Sequence, residues 1–178
     1  MNGRRVLALE PLEPESFAPF GDVIAPGAAR IDYPINDGTA RRFHALAAAE
    51  VQGAGARTVL SWVRAEPRAL PFELAMLERH PLGSQAFVPL DRATRFVVVV
   101  SNSPIATPRA FLARHGAGVN YRRSVWHHPL IVLDRPGDFL VVDRDGAEPN
   151  CEEAALEGGF WLASVPDPAA AAARDRAF

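Results

Sequence analysis

The string ERHPLGSQAFVP, residues 78–89, sits between the mixed apolar segment 69–79 and the unbroken run FVVVV at residues 96–100. How these pieces are read decides the fold. A run of one aromatic and four β-branched residues fits a strand covered on both faces. In residues 69–79, Leu70, Leu74 and Leu77 would share a helical stripe, whereas Phe72, Leu74 and Met76 would share a strand face, and Pro71 suits either. The β character of the flanking segments favours the strand. Pro81 and Gly83 then bend the chain, placing His80 at the end of one strand and Gln85 at the start of the next, so that both can point to one interior.

The same punctuation continues outward, with sixteen Pro and thirteen Gly along the chain. Residues 6–9, 57–64, 110–113, 119–121, 130–133, 139–142 and 160–163 are further strand candidates bounded by Gly, Pro, Asp or Asn. About ten short strands at this spacing predict an all-β sandwich or barrel. Residues 14–18 allow a minor helix of one turn before Pro19 and Gly21 end it, and residues 25–38 read as a loop of turn formers. One domain over residues 1–165 is expected. The five consecutive Ala at 169–173 have no apolar partner face, so residues 166–178 read as a loosely ordered tail.

Composition narrows the class. At 178 residues with 48% apolar side chains the chain can bury a sizeable core without disulfides or structural metal. A net charge of −2 leaves no basic excess for phosphates, which argues against nucleic acid. All nineteen cations are Arg; their forks suit carboxylates, although a G+C-rich genome produces the same bias. Cys151 stands alone, which excludes an intramolecular disulfide and Cys-pair zinc motifs and fits a reducing compartment. Glu10, Pro11 and Glu13 interrupt any signal-like apolar run, and no segment approaches about 20 uninterrupted apolar residues. A cytoplasmic protein without a membrane span is expected.

Three stretches concentrate polar residues beside turns. The first holds Asn36, Asp37 and Gly38 with Arg41, Arg42 and His44; its bland reading is a solvated turn. The second holds His80 and Gln85. The third, GVNYRRSVWHHP at 118–129, holds Tyr121, Arg122, His127 and His128. Adjacent residues of a strand face opposite sides, so only one of His127 and His128 can enter an interior. A lone histidine in a β core is more often structural than functional. Two separated segments that each pair a histidine with amide, hydroxyl or Arg neighbours favour a site.

A strand with Glu-x-His-x-x-Gly-x-Gln, then FVVVV, then Val-Trp-His resembles the two-motif layout of cupin barrels, which implies a cupin-like β-barrel (double-stranded β-helix). In that pattern His80 and His127 match metal-binding histidines, Leu82 replaces a middle His, and Gln85 stands near the place of a Glu. The closer resemblance is to the ureidoglycolate lyase family, also called ureidoglycolate hydrolase. PESFAPFGDVI (14–24), INDGTARRFH (35–44), ERHPLGSQAFVP (78–89), GVNYRRSVWHHPL (118–130) and DFLVVDR (138–144) carry it in order, from about Leu9 to Trp161.

That resemblance implies a homodimer, cleavage of (S)-ureidoglycolate to glyoxylate and urea in allantoin degradation, a divalent metal reported as nickel, and no nucleotide cofactor. The substrate is a carbinolamide, so its C–N bond breaks once the hydroxyl loses a proton and the departing nitrogen gains one. His80 or His127 is the expected base and Tyr121 the expected proton donor or hydrogen-bonding partner, with the roles open to reversal. Arg42 or Arg122 would grip the carboxylate, and Asn36 and Gln85 the ureido group. His80 and His127 are also the candidate metal ligands. The competing readings are another cupin-type enzyme, such as a sugar isomerase or an oxygenase, and a non-catalytic module that binds a small carboxylate. Trp62, Trp126 and Trp161 are candidate dimer contacts, with core packing the plainer reading of each.

Overall fold

The computed structural model describes residues 4–165 and is built almost wholly of short strands. In chain order they are β1 (Arg5–Leu7), β2 (Leu9–Pro11), β3 (Gly21–Ile24), β4 (Ile31–Ile35), β5 (Ala40–His44), β6 (Arg57–Ala65), β7 (Phe72–Arg79) and β8 (Gln85–Pro89). There follow β9 (Phe96–Ser101), β10 (Arg109–Ala113), β11 (Gly118–Tyr121), β12 (Trp126–His127), β13 (Ile131–Val132), β14 (Gly137–Asp145) and β15 (Glu152–Leu162). The expected helical turn is α1 (Pro14–Phe17), with a proline in its first turn and Phe17 buried beneath it. Among the described residues no helix is long and apolar enough to cross a membrane. The expected tail, 166–178, lies outside the described residues.

One sheet runs β1-β15-β7-β12-β9-β10-β2, with β13 also on β9, and a second runs β3-β11-β8-β14-β6. Only Ala8 separates β1 from β2, yet β1 pairs with β15 and β2 with β10, both in parallel. One N-terminal segment therefore stitches the two margins of the larger sheet together and draws it into a nearly closed barrel, the all-β layout that the cupin resemblance implies.

Every residue of β9 is buried. Phe96, Val98 and Val100 enter the core between the two sheets with Phe17, Phe111 and Phe139, while Val97 and Val99 enter a second core with Leu74, Ile131 and Leu162. The double coverage expected of FVVVV is thus realised. Each such side chain contributes about 1.5–3 kcal/mol by leaving water. From Phe72 to Arg79 the segment 69–79 is strand, with β7 paired to β12 and β15.

Residues 6–9, expected as one strand, split at Ala8 into β1 and β2, β3 lies outside the expected strands, and two larger differences follow. Residues 25–38 are not a plain loop: after a 3₁₀ turn at Pro26–Ala28, β4 pairs with β5 as a hairpin. Asn36, Asp37 and Gly38 all adopt positive φ, and consecutive left-handed residues are what twist a tight hairpin correctly. Also, β15 is much longer than 160–163, because a bulge between Ala155 and Phe160 absorbs the Gly158-Gly159 pair that reads as a chain break.

Close approach of backbones explains one glycine. A Cβ at Gly21 would lie 1.9 Å from the carbonyl oxygen of Asn120 on the neighbouring β11. Gly21→Ala is therefore expected to force β3 off β11 and lower stability by about 2–4 kcal/mol. Gly27, with nothing within 4 Å of a Cβ, should accept Ala within about 0.5 kcal/mol. Urea denaturation of both variants checks the contrast, and equal stabilities would refute it.

Candidate active site

Register sets the phase of the histidine strand. His127 on β12 is opposite Val100 on one side and Glu78 of β7 on the other, so all three share the face toward the inter-sheet core, and Trp126 turns into the second core. His127 is 2% exposed and its ring stacks on Tyr121, centroids 4.2 Å apart and planes at 15°. His128 points the other way, edge-on to Phe72 at 5.5 Å. Burial pushes His128 below the usual histidine range. Of the adjacent pair, then, only His127 enters the space between the two sheets, while His128 is buried on the opposite face.

His80 follows β7 directly and lies two residues beyond Glu78, so the pleat returns it to the same face. Its ring centroid is 5.2 Å from that of His127. Glu78 Oε1 lies 3.5 Å from His127 Nε2 and 4.0 Å from His80 Nε2. On their other edges, His80 Nδ1 lies 2.7 Å from the carbonyl oxygen of Asn150 and His127 Nδ1 lies 3.0 Å from that of Val125. A carbonyl only accepts, so each Nδ1 carries the hydrogen and each Nε2 offers a lone pair inward.

The result is a cluster of acceptors: a carboxylate oxygen and two imidazole nitrogens, all within 4.8 Å of one another. Both Nε2 atoms are buried without a hydrogen-bond partner. Unpaired buried acceptors cost about 1–3 kcal/mol each, so the cluster is complete only with a shared proton or a cation between its members. Two imidazoles and a carboxylate suit a divalent transition metal, and the carbonyls behind the rings fix their orientation for it. When Nε2 of His127 carries a proton as well, its hydrogen bond and its charge lower the pKa of the Glu78 carboxyl, outweighing the burial that opposes it.

The smaller sheet supplies the facing row. Tyr121 on β11 is opposite Gln85 on β8, and one step beyond the Val142–Ala86 pair brings Asp143 of β14 beside Gln85. Phe139, Val141 and Asp143 alternate onto the inner face, the first two in the core. Burial pushes the Tyr121 phenol far up and also raises Asp143, which Gln85 opposes by hydrogen bonding. Gln85 Oε1 is buried without a partner. A cavity of about 290 Å³ opens here, bounded by His80, Gln85, Asp143, Arg144, Asn150 and Cys151.

The structure brings His80, His127, Tyr121 and Gln85 together and leaves three candidates elsewhere. Asn36 sits in the hairpin turn and Arg42 on exposed β5. Arg122 borders a separate cavity of about 430 Å³ with Asp22 and His44, and its guanidinium donates to the Ala18 carbonyl at 2.7 Å. Three residues of the site escape the sequence reading. Glu78 could have been found from its i, i+2 spacing to His80, and Asp143 from its alternation with Phe139 and Val141. Asn150, whose Oδ1 accepts the Leu82 N–H at 2.7 Å while its carbonyl holds His80, left no local signal. Leu82 serves the bend through its backbone.

The family model described as "Ureidoglycolate lyase" matches residues 4–163. The chain is 49% identical over 169 residues to a "Ureidoglycolate lyase" of Burkholderia cepacia, covering 93% of this chain and 95% of that one. It is 50% identical over 161 residues to a protein of the same name from Rhizobium etli, covering 88% and 95%. Among solved structures it shows slight likeness to a 3,4-ketoisomerase from Helicobacter canadensis, with 12% identity, 49% and 62% coverage and a TM-score of 0.35. A Bacillus subtilis oxalate decarboxylase gives 15% identity, 60% and 29% coverage and a TM-score of 0.37. With its match running nearly end to end, the chain belongs to the ureidoglycolate lyase family.

Proposed function

We propose that this protein is a carbon–nitrogen lyase that cleaves (S)-ureidoglycolate to glyoxylate and urea within allantoin degradation. The observation that carries this reading is the acceptor cluster Glu78–His80–His127, with Tyr121 stacked on His127 and a cavity that His80, Gln85 and Asp143 border together, in a chain half identical to proteins of that name. The hydroxyl O–H breaks, its electrons form the aldehyde C=O, the C–N pair goes to nitrogen, and a proton joins that nitrogen. Water is not consumed.

In this scheme Nε2 of His80 or His127 receives the hydroxyl proton, and Glu78 stabilises the imidazolium so formed. Tyr121 keeps its proton at neutral pH because burial disfavours phenolate, which suits it to donate toward the departing nitrogen. Gln85 offers its Oε1 to the ureido N–H groups. Where a divalent ion, nickel by the family resemblance, occupies the cluster in place of that proton, Glu78, His80 and His127 would hold it through the same lone pairs, and it would ease loss of the hydroxyl proton by polarising its oxygen. The substrate carboxylate is the group for which Arg42 or Arg122 is the expected partner, and within one chain neither borders this cavity. A polar metabolite as substrate and the unpaired Cys151 support a cytoplasmic setting.

A homodimer is part of the same proposal. On the outer face of the smaller sheet the pairs Trp62–Leu140–Val88 and Leu60–Val142–Ala86 form two apolar rows, and Leu60 and Trp62 are 70% and 69% exposed. Trp126 is buried and Trp161 lies under the Arg4 guanidinium, which leaves Trp62 as the tryptophan suited to a contact.

Purified protein should release glyoxylate and urea in equal amounts from ureidoglycolate without nicotinamide or ATP. Coupled reduction follows the glyoxylate and urease the urea; ammonia appearing before urease is added would sink the lyase reading. His127→Ala should lose about two to four powers of ten in turnover and bind Ni²⁺ about 10- to 100-fold more weakly. His128→Asn, on the other face, should keep turnover within about tenfold once shown to be folded. The reverse pattern would contradict the register. Light scattering should give twice the 19.3 kDa chain mass, and Leu60→Arg should shift the population toward monomer. A 19.3 kDa wild-type particle at micromolar concentration would refute the dimer.

A further inference from the structure

We propose that Asp143 is a specificity-determining residue that, with Gln85, forms an acceptor pair for the terminal –NH₂ of a ureido group. This rests on the lyase reading and adds to it the part of the site that tells a ureido compound from a simple hydroxy acid. Asp143 faces the interior in phase with Phe139 and Val141 and borders the cavity beside His80. It lies next to Gln85 across the β8–β14 ladder, one step past the Val142–Ala86 pair. Gln85 in turn lies beside Tyr121.

The chemistry of that corner is one-sided. Gln85 lies across the β8–β14 ladder from Asp143, whose carboxylate when ionised only accepts, and hydrogen bonding from Gln85 opposes the rise that burial gives that carboxyl, so the amide NH₂ is the end that suits Asp143. The carbonyl end, Oε1, is then left buried and without a partner. Asp143 borders the same cavity. Two acceptors around one cavity call for a ligand with paired N–H donors, and a urea end is such a group; a hydroxyl or carboxylate end is not. Asp143 acts in two ways: it accepts from the ligand, and it keeps Gln85 from flipping so that an acceptor, not a donor, meets the substrate.

The test is calorimetric titration of the purified full-length enzyme with two probes. Oxalurate carries a ureido group and a carboxylate; glycolate carries a hydroxyl and a carboxylate. Asp143→Asn, which preserves volume, and Asp143→Ala should each weaken oxalurate binding by about 10- to 100-fold, the scale of a lost hydrogen bond to a charged group, with glycolate affinity within about twofold. Loss of both probes in parallel, or of neither, overturns the assignment. The isosteric variant decides the matter if Asp143→Ala fails to fold. Should wild type bind oxalurate through Asp143 but leave ureidoglycolate uncleaved, the subsite stands and the lyase reading falls.

Discussion

Complete burial of Phe96–Ser101 on both faces is the constraint on which the rest of the molecule depends. A strand that feeds Val98 and Val100 into one core and Val97 and Val99 into another cannot slip by a residue without exchanging its two apolar faces. It therefore fixes the phase of everything paired to it. Phe111 of β10 is opposite Val98, and His127 of β12 is opposite Val100. His127 reaches the interior because Val100 does, and Glu78 joins them as its cross-strand neighbour. The chemistry of the site is thus set by the register of a strand that contributes no polar group to it.

The second layer of control is tautomeric. Carbonyls from Asn150 and Val125 fix which nitrogen of each ring carries hydrogen. The stack of Tyr121 on His127 fixes the ring plane, and the phenol stays neutral because burial and the Glu78 charge both disfavour phenolate. The two sheets contribute opposite halves of the machinery: the larger one the acceptor cluster, the smaller one a row that runs from a donor, Tyr121, through the amide of Gln85, to an acceptor, Asp143. Neither half is contiguous in sequence. The Pro81–Gly83 bend, which carries the chain from β7 in one sheet to β8 in the other, is what lets His80 and Gln85 meet at the same cavity.

Legibility in the sequence followed the range of the interaction. FVVVV, the alternation in β6 and the breaks at Pro and Gly are local, and they mark most of the core strands and the all-β class. The opposite orientation of His127 and His128 needs only the pleat, so it too was readable. Asn150 was not, because its link to His80 joins residues far apart in the chain through a backbone oxygen. Residues 25–38 misled for the opposite reason: Asn36, Asp37 and Gly38 were turn formers as read, but the strands on either side carry Asp32, Pro34, Arg41 and Arg42 and lack the apolar alternation that marks a buried strand. Asn36 and Arg42 suit a ureido group and a carboxylate by their side-chain chemistry, and the hairpin places them away from the His80 cavity within one chain.

Charge gives the two halves a further reason to sit together. The cavity beside His80 is bordered by Asp143, Asp145 and Glu148, with Glu78 close behind. Among the described residues Arg144 is the one Arg on that border, and each of its three nitrogens already donates, to Gln52, to the Glu148 backbone or to the Glu148 carboxylate. A carboxylate substrate entering such a space meets net negative charge, and in a partly desolvated cavity that repulsion is large compared with the same charges in water. Something positive must offset it at the place where the acceptors converge. The lone pairs of His80 and His127 and the carboxylate of Glu78 are arranged to hold that positive charge, as protons or as a divalent ion, so the cluster proposed as the base would also offset the charge of an anionic substrate.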